Sequence, residues 1–282
     1  MSLPIVRTLD LVFRLFPAMN RIITRRWYRY LTRSDKSAQM IFMNYGYADL
    51  NHAGSKLFLH KEDEGHRYSI QLYHYVASAV DLKGCDVLEI GCGRGGGASY
   101  IARYLSPKSM TGIDIVNETI EFCKKHYNIP GLVFSRGNAE SLPFPDNSFD
   151  VLVNVESSGH YDSMKRFLSE VYRTLRPKGY FLLADIRDRK DVNSLRKLLK
   201  RSGFAIIGEE RITPNVLQSL DLDSERKIAL IHKGVPRLIQ AVLKDFAATR
   251  GTSRCEAFRK GDLEYMGFIL RKKDKTRMGE NI

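Results

Sequence analysis

No run of about 18 apolar residues occurs along these 282 residues, so the sequence predicts no membrane-spanning helix. Cysteine is scarce and scattered: Cys85, Cys92, Cys123 and Cys255 form no Cys-x-x-Cys pair. That spacing argues against a structural zinc site and a disulfide framework, and it fits a reducing compartment. The histidines His52, His60, His66 and His74 share no ligand spacing, so no metal site is expected. No internal repeat or low-complexity tract is visible. Acidic residues are also in deficit, leaving a formal net charge of +13.

Where that charge sits is informative. Residues 1–34 carry net +6 and residues 271–282 carry +3, so the body between them carries only +4. A basic face spread over the body would favour nucleic acid. Basic ends suit an anionic membrane surface or solvated tails equally well. The apolar Leu11-Val12-Phe13 and Leu15-Phe16 look signal-like, but Arg14 interrupts them and no small-residue cleavage site follows. An Arg-rich, acid-poor start also admits a mitochondrial transit peptide. An amphipathic helix over about Arg21–Arg33 is preferred, with Ile22, Ile23, Trp27, Tyr30 and Leu31 as its stripe. That stripe either packs on the body or touches a membrane. The expected location is cytoplasmic, with peripheral membrane contact through residues 1–34 as an option.

The chain supports one full-sized core, with room for a lid but not for two domains. From Asp81 to Asp185 short apolar runs alternate with helical stretches. Strands are predicted at Cys85–Ile90, Met110–Ile115, Leu132–Ser135, Val151–Val155 and Tyr180–Ala184. Helices are predicted at Ala98–Tyr104, Glu118–His126 and Met164–Leu175. Val192–Arg201 adds a helix, Ala205–Ile207 a sixth strand and Tyr265–Leu270 a seventh. Such alternation implies a doubly wound α/β fold, with a mostly parallel seven-stranded sheet. Pro214–Arg250, including Val235–Phe246 entered through Pro236, is helical in period and too long for a plain loop. It is a candidate lid. The expected organisation is a basic helical cap (1–70), a cofactor-binding core (71–212), a helical insertion (213–260), and a last strand with a basic tail (261–282).

The central motif is Val87-Leu88-Glu89-Ile90-Gly91-Cys92-Gly93-Arg94-Gly95-Gly96-Gly97. It closes a predicted strand and opens a predicted helix. Glycines there let the backbone approach a ligand, and the helix N-terminus favours an anionic group. Gly91-x-Gly93-x-x-Gly96, with Asp114 downstream, formally satisfies the dinucleotide fingerprint. Three features tilt the reading toward another cofactor. Glu89 can accept a hydrogen bond from a ligand ammonium but would repel a pyrophosphate. Asn138-Ala139 lies beyond the third strand, where an adenine edge can be read. Leu175-Arg176-Pro177-Lys178-Gly179-Tyr180 then leads into strand five.

On these residues the chain resembles the class I S-adenosylmethionine-dependent methyltransferases from about Gln71 to Arg187. The Glu-x-Gly-x-Gly-x-Gly signature falls on Glu89, Gly91, Gly93 and Gly95. The run from Asn138 to Phe144 resembles the family's acid–Ala–x–x–Leu–Pro–Phe segment, and Phe149-Asp150-Val151 opens strand four. A closer resemblance, to phthiotriol and phenolphthiotriol dimycocerosate O-methyltransferases, is carried by several further segments. They are Leu88–Tyr100, Asn154-Val155-Glu156-Ser157-Ser158, Ala184-Asp185-Ile186-Arg187, Trp27-Tyr28 and Phe42–Tyr47. The same subgroup is similar to natural-product methyltransferases, so lipid specificity does not follow from the match.

The resemblance implies a Rossmann-like class I fold and S-adenosylmethionine as cofactor. By position, Glu89, Gly91, Cys92, Gly93 and Gly95 would hold its methionine part. Asp114 would take the ribose hydroxyls, Ile115 would flank the adenine, and Asn138 and Ala139 would read its edge; Asn154 and Tyr45 complete the expected cofactor set. Asn138 stands where the family usually has Asp, so its amide oxygen still accepts but without charge.

Methyl transfer needs alignment of nucleophile, methyl and sulfur, and removal of a proton if the acceptor is an alcohol. His160, just past strand four, is the candidate base; the relatives place that His one residue earlier, where this chain has Gly159. Otherwise it is a surface or substrate-contact histidine. Asp185 and Arg187 on the same rim either orient substrate or form a structural ion pair. Glu156 either binds substrate or caps the next helix. Tyr45 and Tyr47 either close over the cofactor or are core tyrosines. His126, at a helix end, is read as structural.

The expectation is an O-methyltransferase acting on a hydroxyl of a lipid, polyketide or other apolar small molecule. N- or C-methylation is the alternative, with nucleic-acid or protein methylation behind it, because no Asn/Asp-Pro-Pro-Tyr-like motif follows strand four. A cofactor-binding module without catalysis and an NAD(P)-linked enzyme are the readings from other classes. No nucleic-acid partner is expected, and the oligomeric state is open.

Overall fold

A computed structural model describes residues 38–50 and 57–273. The expected Arg21–Arg33 helix, the Trp27-Tyr28 pair, the transit-peptide alternative, His52 and the tail beyond residue 273 lie outside them. Five parallel strands come first: β1 (Asp86–Ile90), β2 (Ser109–Asp114), β3 (Leu132–Arg136), β4 (Phe149–Val155) and β5 (Leu175–Asp188). β6 (Phe204–Arg211) and β7 (Leu263–Lys272) complete a seven-stranded sheet of order β3-β2-β1-β4-β5-β7-β6, with β7 antiparallel to both its neighbours.

Period-2 alternation buries both faces of this sheet. Val87, Val151, Val153, Val155, Leu182 and Ala184 face one way. There they meet α1 (Arg67–Ala77), α2 (Gly96–Tyr104) and α3 (Asn117–His126) through residues such as Tyr73, Ile101 and Ile120. Leu88, Ile90, Leu152, Phe181 and Leu183 face the other way. They pack on Phe167 and Val171 of α4 (Met164–Thr174) and on Leu195 and Leu199 of α5 (Val192–Arg201). The chain leaves β1 toward β2 and β3, then returns to lay β4 on β1's other side. Loops after β1 and β4 therefore diverge, opening a crevice at the carboxyl ends of the strands.

Three helices fill the stretch before β7: α6 (Thr213–Gly234), α7 (Arg237–Phe246) and α8 (Ser253–Lys260). Pro236 breaks the expected helical stretch, because it has no N–H to donate and stands as the N-cap of α7. α8 falls within the expected helical insertion (213–260), beyond the Pro214–Arg250 stretch that reads as helical in period. It buries only Cys255 and Phe258, too few for an apolar period, yet Thr252 caps it and Gly261 ends it in the left-handed region. β5 starts at Leu175, earlier than expected: Phe149 pairs with Leu175, and a bulge then absorbs the Arg176–Gly179 turn, with Lys178 at φ 65°.

Candidate active site

β1 runs out at Ile90, and the loop turns at Gly91, whose φ is 76°. A Cβ there would also come within 2.5 Å of Ser157 Oγ, so glycine is required twice over. The Gly91 and Cys92 amides donate to the Ile113 carbonyl at 2.8 and 2.9 Å. Gly93 N–H donates to Asp114 Oδ2 at 3.1 Å, and Val116 N–H donates to Oδ1 at 2.9 Å. Asp114 thus joins the ends of β1 and β2.

A cavity with about 1070 Å³ of empty space, partly open to solvent, lies in this crevice. Its walls are residues 90–94, 114–116 and 137–140 on one side, and 41–44, 155–157 and 160–161 on the other. It brings together Gly91, Cys92, Gly93, Asp114, Ile115, Asn138, Ala139, Glu156 and His160 of the sequence-predicted site. Asn138 closes a tight turn, its Oδ1 accepting the Glu140 amide at 3.0 Å.

Glu89, Gly95, Asn154, Tyr45, Asp185 and Arg187 do not line this cavity. Gly95 caps α2, where a Cβ would strike the Tyr127 and Phe134 rings. Glu89 shares the Val87 face and is fully buried. Tyr73 hydroxyl donates to its Oε1 at 2.6 Å, and Tyr73 itself is in the cavity wall. Burial pushes the Glu89 carboxyl up to about 8, against the pull of Tyr73 and the Ala98 amide. Its Oε2 is buried with no hydrogen bond.

Tyr73 was not legible in the sequence, because it reads as one more apolar position on α1. Its ring lies so close to α2 that a Cβ on Gly97 would sit 2.0 Å from Tyr73 Cε1. We expect Gly97→Ala to displace the ring, break the bond to Glu89 and cost about 2–3 kcal/mol of stability. Urea unfolding of the two proteins checks this; equal midpoints would show that the ring moves freely.

The opposite wall is built on the end of β4. Glu156 adopts φ 51°, unusual for a residue with a side chain. Its Oε1 accepts from Tyr45 N–H at 2.8 Å and from Tyr265 hydroxyl at 2.9 Å. Burial pushes its carboxyl up to about 7, offset in part by those two donors. His160 ends a 3-10 turn, Ser158–His160, at the cavity edge. Asp185 anchors that turn: Ser158 hydroxyl and Gly159 N–H both donate to Oδ2, and Arg187 pairs with the same oxygen at 3.1 Å. Asp185 and Arg187 are thus paired with each other beneath this turn. Asn154 braces the loops from below, its Nδ2 donating to the Ile90 carbonyl at 2.8 Å and to Ser157 Oγ at 2.7 Å.

Tyr45 is buried and lines a different cavity from the glycine loop. Its hydroxyl donates to the Phe246 carbonyl at 2.8 Å and accepts from Arg254 at 2.9 Å, with its ring edge-on to Phe258. Tyr47 stacks on Tyr75 at 4.9 Å and lines neither described cavity. Instead of these tyrosines, Phe42, Met43 and Asn44 face the glycine loop.

The donor set suits S-adenosylmethionine. An open backbone stretch lies at Gly93, where an added Cβ would meet only Met43 Cε at 3.5 Å. Beyond it stand the Asp114 carboxylate and, behind Tyr73, the unpartnered Glu89 Oε2.

A family model described as a methyltransferase domain matches residues 88–183. The fatty-acid O-methyltransferase of Mycolicibacterium smegmatis is 41% identical over 240 residues, covering 84% of this chain and 85% of that protein. The phthiotriol/phenolphthiotriol dimycocerosates methyltransferase of Mycobacterium tuberculosis is 38% identical over 250 residues, covering 89% and 92%. Among solved structures, geranyl diphosphate C-methyltransferase from Streptomyces coelicolor A3(2) shares the fold, with TM-score 0.61 at 16% identity over 86% of this chain and 95% of that one. The chain belongs to the family of these two mycobacterial relatives and is an S-adenosylmethionine-dependent methyltransferase.

Proposed function

We propose that this enzyme methylates an oxygen atom of a long-chain, lipid-like molecule. The observation that carries the reading is a second cavity beside the first. It holds about 760 Å³ of empty space and is walled by Met40, Leu230, Ile231, Val235, Leu243 and Phe246. Phe42, Met43 and Asn44 belong to both cavities, so a molecule in one abuts a molecule in the other. Helices α6 and α7 supply Leu230, Ile231, Leu243 and Phe246 of this wall, which supports a role for the insertion as a substrate cover. The names of the two mycobacterial relatives, one for a fatty acid and one for phthiotriol dimycocerosates, agree with such an occupant.

When bound, the cofactor supplies an electrophilic methyl on a sulfonium. The backbone of Gly91, Cys92 and Gly93 holds its methionine end, with Glu89 bearing on that end from behind Tyr73. Asp114 takes the ribose, and Ile115, Asn138 and Ala139 enclose the adenine. Glu156 and His160 flank the acceptor end. The second cavity excludes water from the chain and sets its reacting oxygen against the first. The basic residues 1–34 belong to the same proposal, holding a cytoplasmic enzyme at the anionic surface where its lipid resides.

Incubating the enzyme with a lipid extract and deuterated-methyl S-adenosylmethionine tests this. Mass spectrometry is expected to show label on oxygen of a long-chain product. Label confined to nitrogen, carbon or polynucleotide would sink the proposal.

A further inference from the structure

We infer that the acceptor presents a neutral hydroxyl rather than a carboxylate, read by Asn44, which lines both cavities, and by Glu156, which lines the first. This rests on the proposal of a long-chain acceptor and narrows it.

Asn44 stands in the wall of both cavities and is only 8% exposed. Its Nδ2 donates to the Ser69 carbonyl at 3.1 Å, which fixes the amide. Its Oδ1 is buried and accepts no hydrogen bond. Buried acceptors are rarely left so, since an unmade bond costs the desolvation of the group. A ligand donor completes this one.

Glu156 is tied to the same spot through the next residue, since Tyr45 N–H donates to it. Both its hydrogen bonds fall on Oε1, and none among the described residues falls on Oε2. The positive φ at Glu156 is a strained placement held by these contacts, of a kind that clusters at working sites. Asn44 Oδ1 and Glu156 Oε2 are both proton acceptors. A hydroxyl brings one proton, shared between these two oxygens before transfer; a carboxylate brings none.

The cations near the junction do not reverse this. Arg226 and Lys227 line the second cavity, but Arg226 is held bidentately by Asp223 at 2.6 Å. Lys227 Nζ donates to the Tyr45 carbonyl at 3.0 Å and lies 3.8 Å from Asp223. Each of these cations is thus already held by groups of the protein, Arg226 by Asp223 and Lys227 by the Tyr45 carbonyl and Asp223. His66 and Tyr45 are the other titratable groups in that wall. On the cofactor side, Arg94 is buried over the Phe122 ring, and His160 and Asp114 both line the cavity.

During transfer, the hydroxyl oxygen bonds to the methyl carbon while the electron pair of the methyl–sulfur bond stays on sulfur. The hydroxyl proton passes to Glu156 Oε2. No further reactant is needed.

The test compares 1-hexadecanol and its secondary isomers with hexadecanoate, by calorimetric binding and by kcat/KM, on the full-length wild-type enzyme. An alcohol is expected to bind and react at least roughly tenfold better than the acid. Asn44→Ala is expected to raise the alcohol KM roughly tenfold with S-adenosylmethionine affinity unchanged. Glu156→Gln is expected to lower kcat by roughly 10²-fold with little change in KM. Preference for the acid overturns the inference and leaves the long-chain proposal standing. So does an Asn44→Ala variant that loses cofactor affinity and keeps its alcohol KM. Failure of both acceptors overturns the two together. The wild-type comparison requires no variant to fold.

Discussion

Asp114→Ala is expected to weaken S-adenosylmethionine binding by about 100-fold. Each oxygen of this carboxylate accepts a backbone N–H, from Gly93 at 3.1 Å and Val116 at 2.9 Å. Hydrogen bonds to a charged acceptor contribute roughly 1.5–3 kcal/mol each. Removing both frees the glycine loop from the end of β2 and leaves two amides unpaired beside the cofactor. It also removes the group that faces the ribose. Asp114→Asn separates these effects. Its oxygen serves one amide, but its NH₂ meets the other N–H head-on, so about a tenfold loss is expected. Calorimetric titration measures both variants. Affinity of Asp114→Ala within a few-fold of wild type would show that the loop is held without it. Retained NADH binding is not expected in either protein.

The contrast between Asp114 and Tyr45 shows what local sequence carries. Asp114 was legible because a strand of regular period ends there, a fixed distance beyond a glycine loop. The alternation of short apolar runs with helical stretches likewise revealed a sheet with helices on both faces. Tyr45 offered no such signal. Its partners Ser219, Phe246 and Arg254 lie 174, 201 and 209 residues away, and nothing near Tyr45 announces them. Asn44 is hidden for the same reason, since its unpartnered oxygen is visible only once α6 and α7 cover the segment before α1. Glu89 is an intermediate case. Its motif marked it as important, but the motif could not show that Tyr73 stands between it and the cavity. The acceptor half of the site is thus built from long-range contacts, and the cofactor half from local ones.

Glu89 has a second consequence, in stability. Its carboxyl is raised from 4.5 to about 8, first by burial, with Tyr73 and the Ala98 amide opposing and Asp114 adding to the rise. Between those values the folded chain holds a proton that the unfolded chain has released. Stability is therefore whole below pH 4.5, declines as pH rises toward 8, and is flat above. The full decline is on the order of 5 kcal/mol. Glu156, raised to about 7, slopes the same way over a narrower window. His74, lowered by burial, works in the opposite sense up to its ordinary value of 6.5. Lys227, lowered to about 8, acts only above that. Comparing wild type with Glu89→Gln cancels these other groups. Glutamine has the shape of the protonated acid, and its oxygen still accepts from Tyr73 at the same place. Urea unfolding is expected to show the two proteins equal near pH 4.5. Near pH 7 the variant is expected to be more stable by about 3 kcal/mol. A constant difference across that range would mean that Glu89 keeps an ordinary carboxyl, ionised inside the fold and balanced by a donor close to its Oε2.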